Sequence, residues 1–341
     1  MWRTAMKKTV ITLIAAIIII ALIGSGVWYL QNSRNQISVE MESITVGMSP
    51  NIDSAALIII ADDQHYFADN GLNVTIKDYD VGLRAVNGML NNENDIAIAT
   101  EFVLVEKVFD QEKIYGFASI AKYEDKVIIG RSDHGIKNVS DLKGKKIGVD
   151  LGTNTEFILG RFLELHGFRL DDVTLVDIKR PQFVDAIGNG SVDAIIVWGL
   201  EVSIIKDQLG PAAVTWPAQS GQQGHWLAMC RQDWAGQHPD MINRFLKSID
   251  QAATYTVYHP EQAKAIARKR LPADDVYLET IWSNTQFSLS LDQSLITAME
   301  DEGRWMIKNN LTDEKTIPDY RYYLYREGLD QIKPESVNLI R

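Results

Sequence analysis

The chain has 341 residues, 46% of them hydrophobic and 23% charged, with a formal net charge of −11. That balance suits a globular protein with apolar mass for two modest cores. The acidic excess repels phosphate backbones and excludes nucleic acid as a partner, and the single cysteine, Cys230, allows neither an internal disulfide nor a thiolate metal cluster.

The first thirty residues stand apart. Arg3, Lys7 and Lys8 precede the stretch from Thr9 to Leu30, 22 residues without a charge, which is long enough to cross a bilayer as a helix. By the positive-inside bias the basic flank stays in the cytoplasm, and everything from Gln31 onward lies outside. Trp28 and Tyr29 fall where interfacial aromatics sit. The expectation is one N-terminal transmembrane helix acting as an uncleaved anchor. A cleaved signal peptide is the rival, with "IGSGV" as a weak cleavage site. A lipid anchor would need a cysteine just after the apolar stretch, and Cys230 is far from it. Without residues 1–30 the charge falls to −14. Residues 31–42 read as a polar linker.

The remainder reads as one β-α-β-α-β unit written twice. The first copy runs "ITVGMS" (strand), "SAALIIIADDQHYFADNG" (helix ending at Gly71), "LNVTI" (strand), "GLRAVNGMLNNEN" (helix) and "DIAIAT" (strand). The second runs "KKIGVD", "TEFILGRFLELHG" (ending at Gly167), "VTLVDI", "PQFVDAIGNGS" and "VDAIIVW". Gly71 and Gly167 lie 96 residues apart, and Asp95 and Asp193 lie 98 apart. A Gly after each first helix supplies the left-handed residue that ends it. "IAIA" and "AIIVW" are continuous apolar runs, as strands covered on both faces require, and parallel strands need helical crossovers. "KVIIGRSD" (Lys126–Asp133) and "HWLAMCRQDW" (His225–Trp234) read as strand-like segments crossing a hinge between two α/β lobes. From Pro239 onward the pattern reads as helical, with "DMINRFLKSIDQAATYTVYH", "PEQAKAIARKRL" and "DQSLITAMEDEGRWMIKNN" packing back on the first lobe.

In open parallel sheets ligands bind beyond the carboxyl ends of the strands. The repeat therefore nominates Ser49, Asn51, Asp80, Gly82, Thr100 and Glu101 from the first copy. From the second it nominates Gly152, Thr153, Asn154, Trp198 and Glu201. Trp226, at the return crossing, joins them. Several have a purely structural alternative. Thr153 with Glu156 three residues on reads as a capping box, and the same helix start can bind an anion through its free N–H groups, with Gly152 allowing close approach. Ser49 and Asn51 can cap the helix that follows. Trp198 is either core or a cleft wall, and Glu201 either a solvated loop acid or a partner for a ligand amine. His225 reads as structural or, with Trp226, as facing the cleft, and Cys230 as a buried inert thiol. Arg84, Lys179 and Arg180 add positive potential near the cleft or are simply solvated.

Several chemistries are missing. There is no G-x-x-x-x-G-K-[ST] loop, no H-E-x-x-H and no G-x-S-x-G elbow. "DDQH" (Asp62–His65) reads as the polar face of a helix and not as a metal site. Nothing asks for a cofactor.

"GMSPNIDSAALIIIADDQHYFADNGLNVTI", "NENDIAIAT", "DLKGKKIGVDLGTNTEFIL" and "GSVDAIIVWGLEVS" together resemble the solute-binding proteins of ABC importers, in the nitrate/sulfonate/taurine and thiamine-pyrimidine-precursor group. The resemblance covers roughly Ile44 to Asp233. It implies an α/β, two-lobe periplasmic-binding-protein type II fold with a hinge. On that reading residues 1–30 are the membrane segment, 31–42 the linker, 43–130 the first part of lobe I, 131–225 lobe II, and 226–341 the rest of lobe I. The resemblance implies an extracytoplasmic binding protein without catalytic activity or cofactor. It would deliver a small organic anion, a sulfonate or taurine-like solute, to an ABC permease driven by a separate ATPase. The soluble part is expected to be monomeric and held at the membrane through residues 9–30. Nitrate or bicarbonate, a pyrimidine stacked on Trp198, and a sensory input module remain as alternatives. An enzyme of the same fold is disfavoured, because the related synthases carry a Cys-rich motif absent here. Family members often carry an acidic-Pro pair just after the Trp, where this chain has Gly199-Leu200.

Overall fold

The computed structural model describes residues 41–271 and 273–340. The expected transmembrane helix at residues 9–30, and all but the end of the linker, lie outside them. Among the described residues no helix is long and apolar enough to cross a membrane.

The chain first builds β1 (Glu42–Met48), α1 (Ile52–Asp63), β2 (Leu72–Asp78), α2 (Gly82–Leu90), β3 (Ile96–Thr100), α3 (Glu101–Phe109) and β4 (Ile114–Tyr123). It then builds β5 (Val127–Arg131), β6 (Lys146–Val149), α4 (Asn154–Leu165), β7 (Thr174–Asp177), a short helix Phe183–Gly188, β8 (Ala194–Val197), α5 (Glu201–Leu209) and β9 (Ala213–Pro217). The last stretch holds β10 (Gly224–Arg231), α6 (Pro239–Tyr258), α7 (Pro260–Arg270), α8 (Asp275–Asn284), β11 (Thr285–Asp292), α9 (Gln293–Lys308) and β12 (Val337–Asn338).

Two sheets result. The first has seven strands in the order β12-β11-β4-β10-β3-β1-β2, the second five in the order β7-β6-β8-β5-β9. Each contains a parallel triplet, β2-β1-β3 and β7-β6-β8. Each triplet is flanked by an antiparallel strand, β10 against β3 and β5 against β8. These flanking strands are the ones the chain enters on passing between sheets, through Glu124–Lys126 outward and Ala218–Gln223 on return. The sequence repeat thus corresponds to two equivalent parallel units, with Gly71 and Gly167 at φ 78° and 82° closing corresponding turns.

Burial follows from the apolar runs. Every residue of β3 and β8 is buried. Helix α1 is buried from Ile52 to Ala61 on all faces. A helix apolar all round must be surrounded, and α1 packs against β4, α6, α7 and α8.

Two expectations need correction, and one strand went unforeseen. The helix expected to run unbroken to Gly71 stops at Asp63, because His65 takes a left-handed conformation (φ 60°) and a separate turn, Tyr66–Asp69, follows. The C-terminal part is not wholly helical, since β11 inserts antiparallel beside β4. Strand β4 itself, "IYGFASIAKY", escaped the sequence reading, although it is the longest strand described.

The two sheet layers also meet through α4 and α9. Phe157 packs edge-on against Trp305 with centroids 5.5 Å apart, and Lys308 bonds Glu164 at 2.6 Å. Gly160 lies under the Trp305 ring, where a Cβ would come within 2.5 Å of Cζ2. Gly160→Val should therefore lower stability by about 1–3 kcal/mol through overpacking, seen as an earlier urea midpoint. An unchanged midpoint would show that this contact is slack.

Candidate functional site

The carboxyl ends of β1, β3, β6 and β8 face one another across the space between the sheets. Ser49, Asn51, Asp80, Gly82, Thr100, Thr153, Asn154, Trp198 and Trp226 all line one cavity there, of about 30 Å³. One water needs roughly 10–15 Å³, so a compact polar head group fits and a whole organic molecule does not. Val81, Leu83 and Val103 add apolar wall, and Lys126 supplies an ammonium.

Helices α1, α2, α3 and α4 begin at this edge, each directly after a lining residue. Their dipoles place partial positive charge there. Asn51, Val81 and Thr100 stand at the N-cap positions of the first three and make no side-chain capping bond. Asn51 instead donates from Nδ2 to Ser49 Oγ at 3.2 Å, so the capping alternative for this pair does not hold. Thr153 does cap α4, accepting from Thr155 N–H at 3.3 Å. The expected capping box is altered: the Glu156 carboxylate accepts from Gly152 N–H at 3.0 Å, one residue earlier than the motif requires. Asn154 donates to the Tyr123 hydroxyl, tying the start of α4 to the end of β4. Gly82 lets α2 approach β3, since a Cβ there would lie 2.9 Å from the Ala99 Cα.

Three nominated residues do not line the cavity. Gly152 forms the turn before α4 at φ 77°. Glu101 turns away and accepts the His225 N–H with both oxygens at 3.0 Å. Glu201 is held by Arg180 in a two-pronged pair at 2.8 and 3.0 Å, and the guanidinium lies 5.5 Å from the centre of the Trp198 ring. Arg84 pairs with Asp80 at 2.9 Å, and Lys179 with Asp150 and Asp177. Trp198 is both core and wall: it packs edge-on against Phe183 at 5.2 Å and still reaches the cavity.

Lys126 was missed by the sequence reading. It sits in the outward crossing, almost wholly buried, paired with Asp125. Its ammonium lies 4.4 Å from the Tyr123 ring centre and 5.4 Å from that of Trp198, within cation–π range. The only signal was a lysine opening an apolar strand run. Asp53 was missed too. It accepts from Trp226 Nε1 at 2.8 Å, and burial, with Asp125 nearby, pushes its carboxyl up to about 6.

Cys230 is buried as expected, and His225 is buried too, so of the pair at the return crossing only Trp226 lines the cavity. Burial takes the imidazole down to about 4, leaving it neutral beside Ser119, and pushes the thiol upward. Burial also raises Glu101 to about 7, and the neighbouring buried Glu302 rises well above its ordinary value. Among the described residues no group of three or more acidic, histidine or cysteine side chains could hold a metal.

An unfolded Glu101 ionises near 4.5, the folded one near 7. Between those values the folded state keeps a proton that the unfolded state has lost, so rising pH destabilises the fold and the full penalty is reached above about 7. Glu101→Gln keeps an acceptor for His225 N–H and removes the penalty. Its stability gain over wild type should grow from pH 5 to pH 8 by an amount on the order of 3 kcal/mol. Parallel pH–stability curves would refute this.

A family model described as "NMT1/THI5 like" matches residues 52–263. The taurine-binding periplasmic protein of Escherichia coli is 23% identical over 70% of this chain and 78% of its own length. Two solved structures share the fold. The periplasmic aliphatic sulphonate binding protein SsuA from Escherichia coli has a TM-score of 0.70 at 17% identity, covering 83% of this chain and 97% of that one. The alkanesulfonate-binding protein SsuA from Xanthomonas axonopodis pv. citri, bound to MOPS, has a TM-score of 0.71 at 15% identity, covering 84% and 99%.

Proposed function

This chain belongs to the NMT1/THI5-like family, and from that premise we propose that it is the extracytoplasmic solute-binding component of an ABC importer. It takes the anionic head of a sulfonate between two lobes, releases the solute unaltered to a permease, and relies on a separate ATPase. The observation that carries this reading is the convergence of four helix N-termini and one buried ammonium on a cavity of head-group size. A sulfonate spreads one charge over three oxygens and is satisfied by several directed donors. Ser49, Asn51, Thr100, Thr153 and Asn154 supply hydroxyl and amide groups around it.

The acids nearest the cavity are paired or turned away: Asp80, in the lining, is bridged by Arg84, and Asp125 by Lys126, so the helix N-termini carry more of the positive potential than the ammonium does. Glu201 is neutralised by Arg180, and Glu101 faces away from the cavity and favours its protonated form up to about 7. The taurine- and sulfonate-binding proteins that this chain resembles support the same class of solute. Binding without turnover is the reading we favour: His225 and Cys230 are buried away from the cavity, and the Asp80 carboxylate that does line it is paired with Arg84.

The lobes of this reading are the bodies built on the two sheets, β1–β4 with β10–β12 in one and β5–β9 in the other, so the boundaries expected after residues 130 and 225 move to the crossings, because β5 pairs in the second sheet and β10 in the first. They move about the crossings at Glu124–Lys126 and Ala218–Gln223. Residues 9–30 tether the protein to the outer face of the cytoplasmic membrane, or are removed as a signal peptide.

A short alkanesulfonate should raise the melting temperature of the purified protein with increasing concentration, because it binds only the folded state, and magnetic resonance should recover it unchanged. Asn51→Ala should weaken binding about tenfold, the worth of one hydrogen bond to a charged group. Stabilisation by nitrate or a pyrimidine and not by sulfonates would overturn the assignment, as would conversion of the sulfonate.

A further inference from the structure

We propose that Asp53, behind the wall of the cavity, positions Trp226 there and couples capture of the anion to the uptake of a proton. The inference rests on the anion-head reading above and deepens it.

Asp53 lies in the first turn of α1 and is 2% exposed. Its Oδ2 accepts the Trp226 indole N–H at 2.8 Å, and its Oδ1 accepts the Ser54 N–H at 3.0 Å. Trp226 lines the cavity, stands opposite Thr100 in the β10–β3 pairing, and has its ring 5.4 Å from that of Tyr123. The Tyr123 hydroxyl in turn accepts from Asn154 at the start of α4. An indole has one polar hydrogen, so the carboxyl that holds it fixes which way the ring faces. One run of contacts therefore leads from α1, through the cavity wall, to a helix of the opposite body.

The charges around Asp53 leave it unmatched. Asp125 and Lys126 on the crossing pair with each other, and Arg180 pairs with Glu201. Strand β4 and helix α8 bring the hydroxyls of Tyr123 and Tyr277, which burial keeps protonated. The other elements packed on α1 hold their charges elsewhere. Lys269 of α7 reaches Asp63 at the far end of α1, Arg244 and Asp250 of α6 pair with Glu42 and Lys333, and Asp292 of β11 pairs with Lys122. Glu101, after β3, turns to the His225 N–H. Asp53 makes no ion pair among the described residues, and burial holds its proton on up to about 6. An anion arriving on the far side of Trp226 opposes a carboxylate there but not a carboxylic acid, whose carbonyl oxygen still accepts the indole N–H. Below about 6 the acid already carries its proton, so affinity is level. At higher pH binding must recruit that proton, and affinity falls until the pH passes the value the carboxyl takes in the complex.

The test is calorimetry on the full-length protein with ethanesulfonate, whose own charge does not change from about pH 5 to about pH 8, in buffers of differing ionisation heat. Affinity should be about tenfold lower at the upper end than at the lower, and between about pH 6 and 7 about half a proton should be taken up per solute bound. Asp53→Asn keeps an acceptor for the indole and cannot ionise. It should hold the low-pH affinity throughout and lose most of the slope, whereas Glu101→Gln should keep most of it. Asp53→Ala frees the indole and should bind about tenfold more weakly than Asp53→Asn at every pH. The proton count on the wild type decides the coupling even where a variant fails to fold. No uptake by the wild type, a slope that survives in Asp53→Asn and vanishes in Glu101→Gln, or equal binding by the Ala and Asn variants would overturn the inference while leaving the anion-head reading intact. Failure of every sulfonate would overturn both.

Discussion

Everything at the cleft follows from one geometric constraint: two parallel triplets present their carboxyl edges to each other. Parallel strands must be joined by helices, and each helix begins where a strand ends. The starts of α1, α2 and α3 from one triplet and of α4 from the other consequently share one small volume. Partial positive charge accumulates there without a cluster of basic side chains. An acidic protein, −11 over its length, can in this way hold an anion.

The hinge carries the complementary half of the design. Lys126 is the single ammonium in the lining, and it lies on a crossing segment instead of on either triplet. Its partner Asp125 precedes it, and its neighbours Tyr123 and Trp198 come one from each side of the cleft. A charge so placed is sensitive to the angle between the sheets. On the other side the bodies touch through Phe157, Gly160 and Trp305, and Phe102 stacks on Phe157 with centroids 6.2 Å apart. Closure, on this account, brings those apolar surfaces together while the ligand completes the polar shell.

Much of this was legible in the sequence, for reasons that can be named. Gly71 and Gly167 marked corresponding turns into the second strand of each unit, because only glycine takes φ near 80° without strain. The runs "IAIA" and "AIIVW" announced strands covered on both faces. Position after each strand was enough to find eight of the lining residues, and the return crossing supplied Trp226. What failed was anything set by tertiary partners. Strand β4 mixes Gly, Ser and Lys among its apolar residues, and its burial comes from β10 and β11, remote in sequence. Glu101 and Glu201 stood at the right positions, but a backbone N–H and Arg180 claimed them. Lys126 looked like an ordinary charged residue before a strand, because its burial is set by Tyr123, Trp198 and Asp125 and its place at the head of an apolar run is too weak a signal to show it.

The central claim, that two bodies close over an anion about the crossings at Glu124–Lys126 and Ala218–Gln223, is tested most directly by one distance. Asn87 on α2 and Gln182 beside the second sheet are both exposed and sit on opposite bodies. Cysteine replacements at these two positions can carry spin labels while the native Cys230 stays buried. With a saturating sulfonate the label separation should contract to a single narrow distribution, and without it the distribution should be broader and longer. A separation that is the same with and without every sulfonate tried would contradict the account.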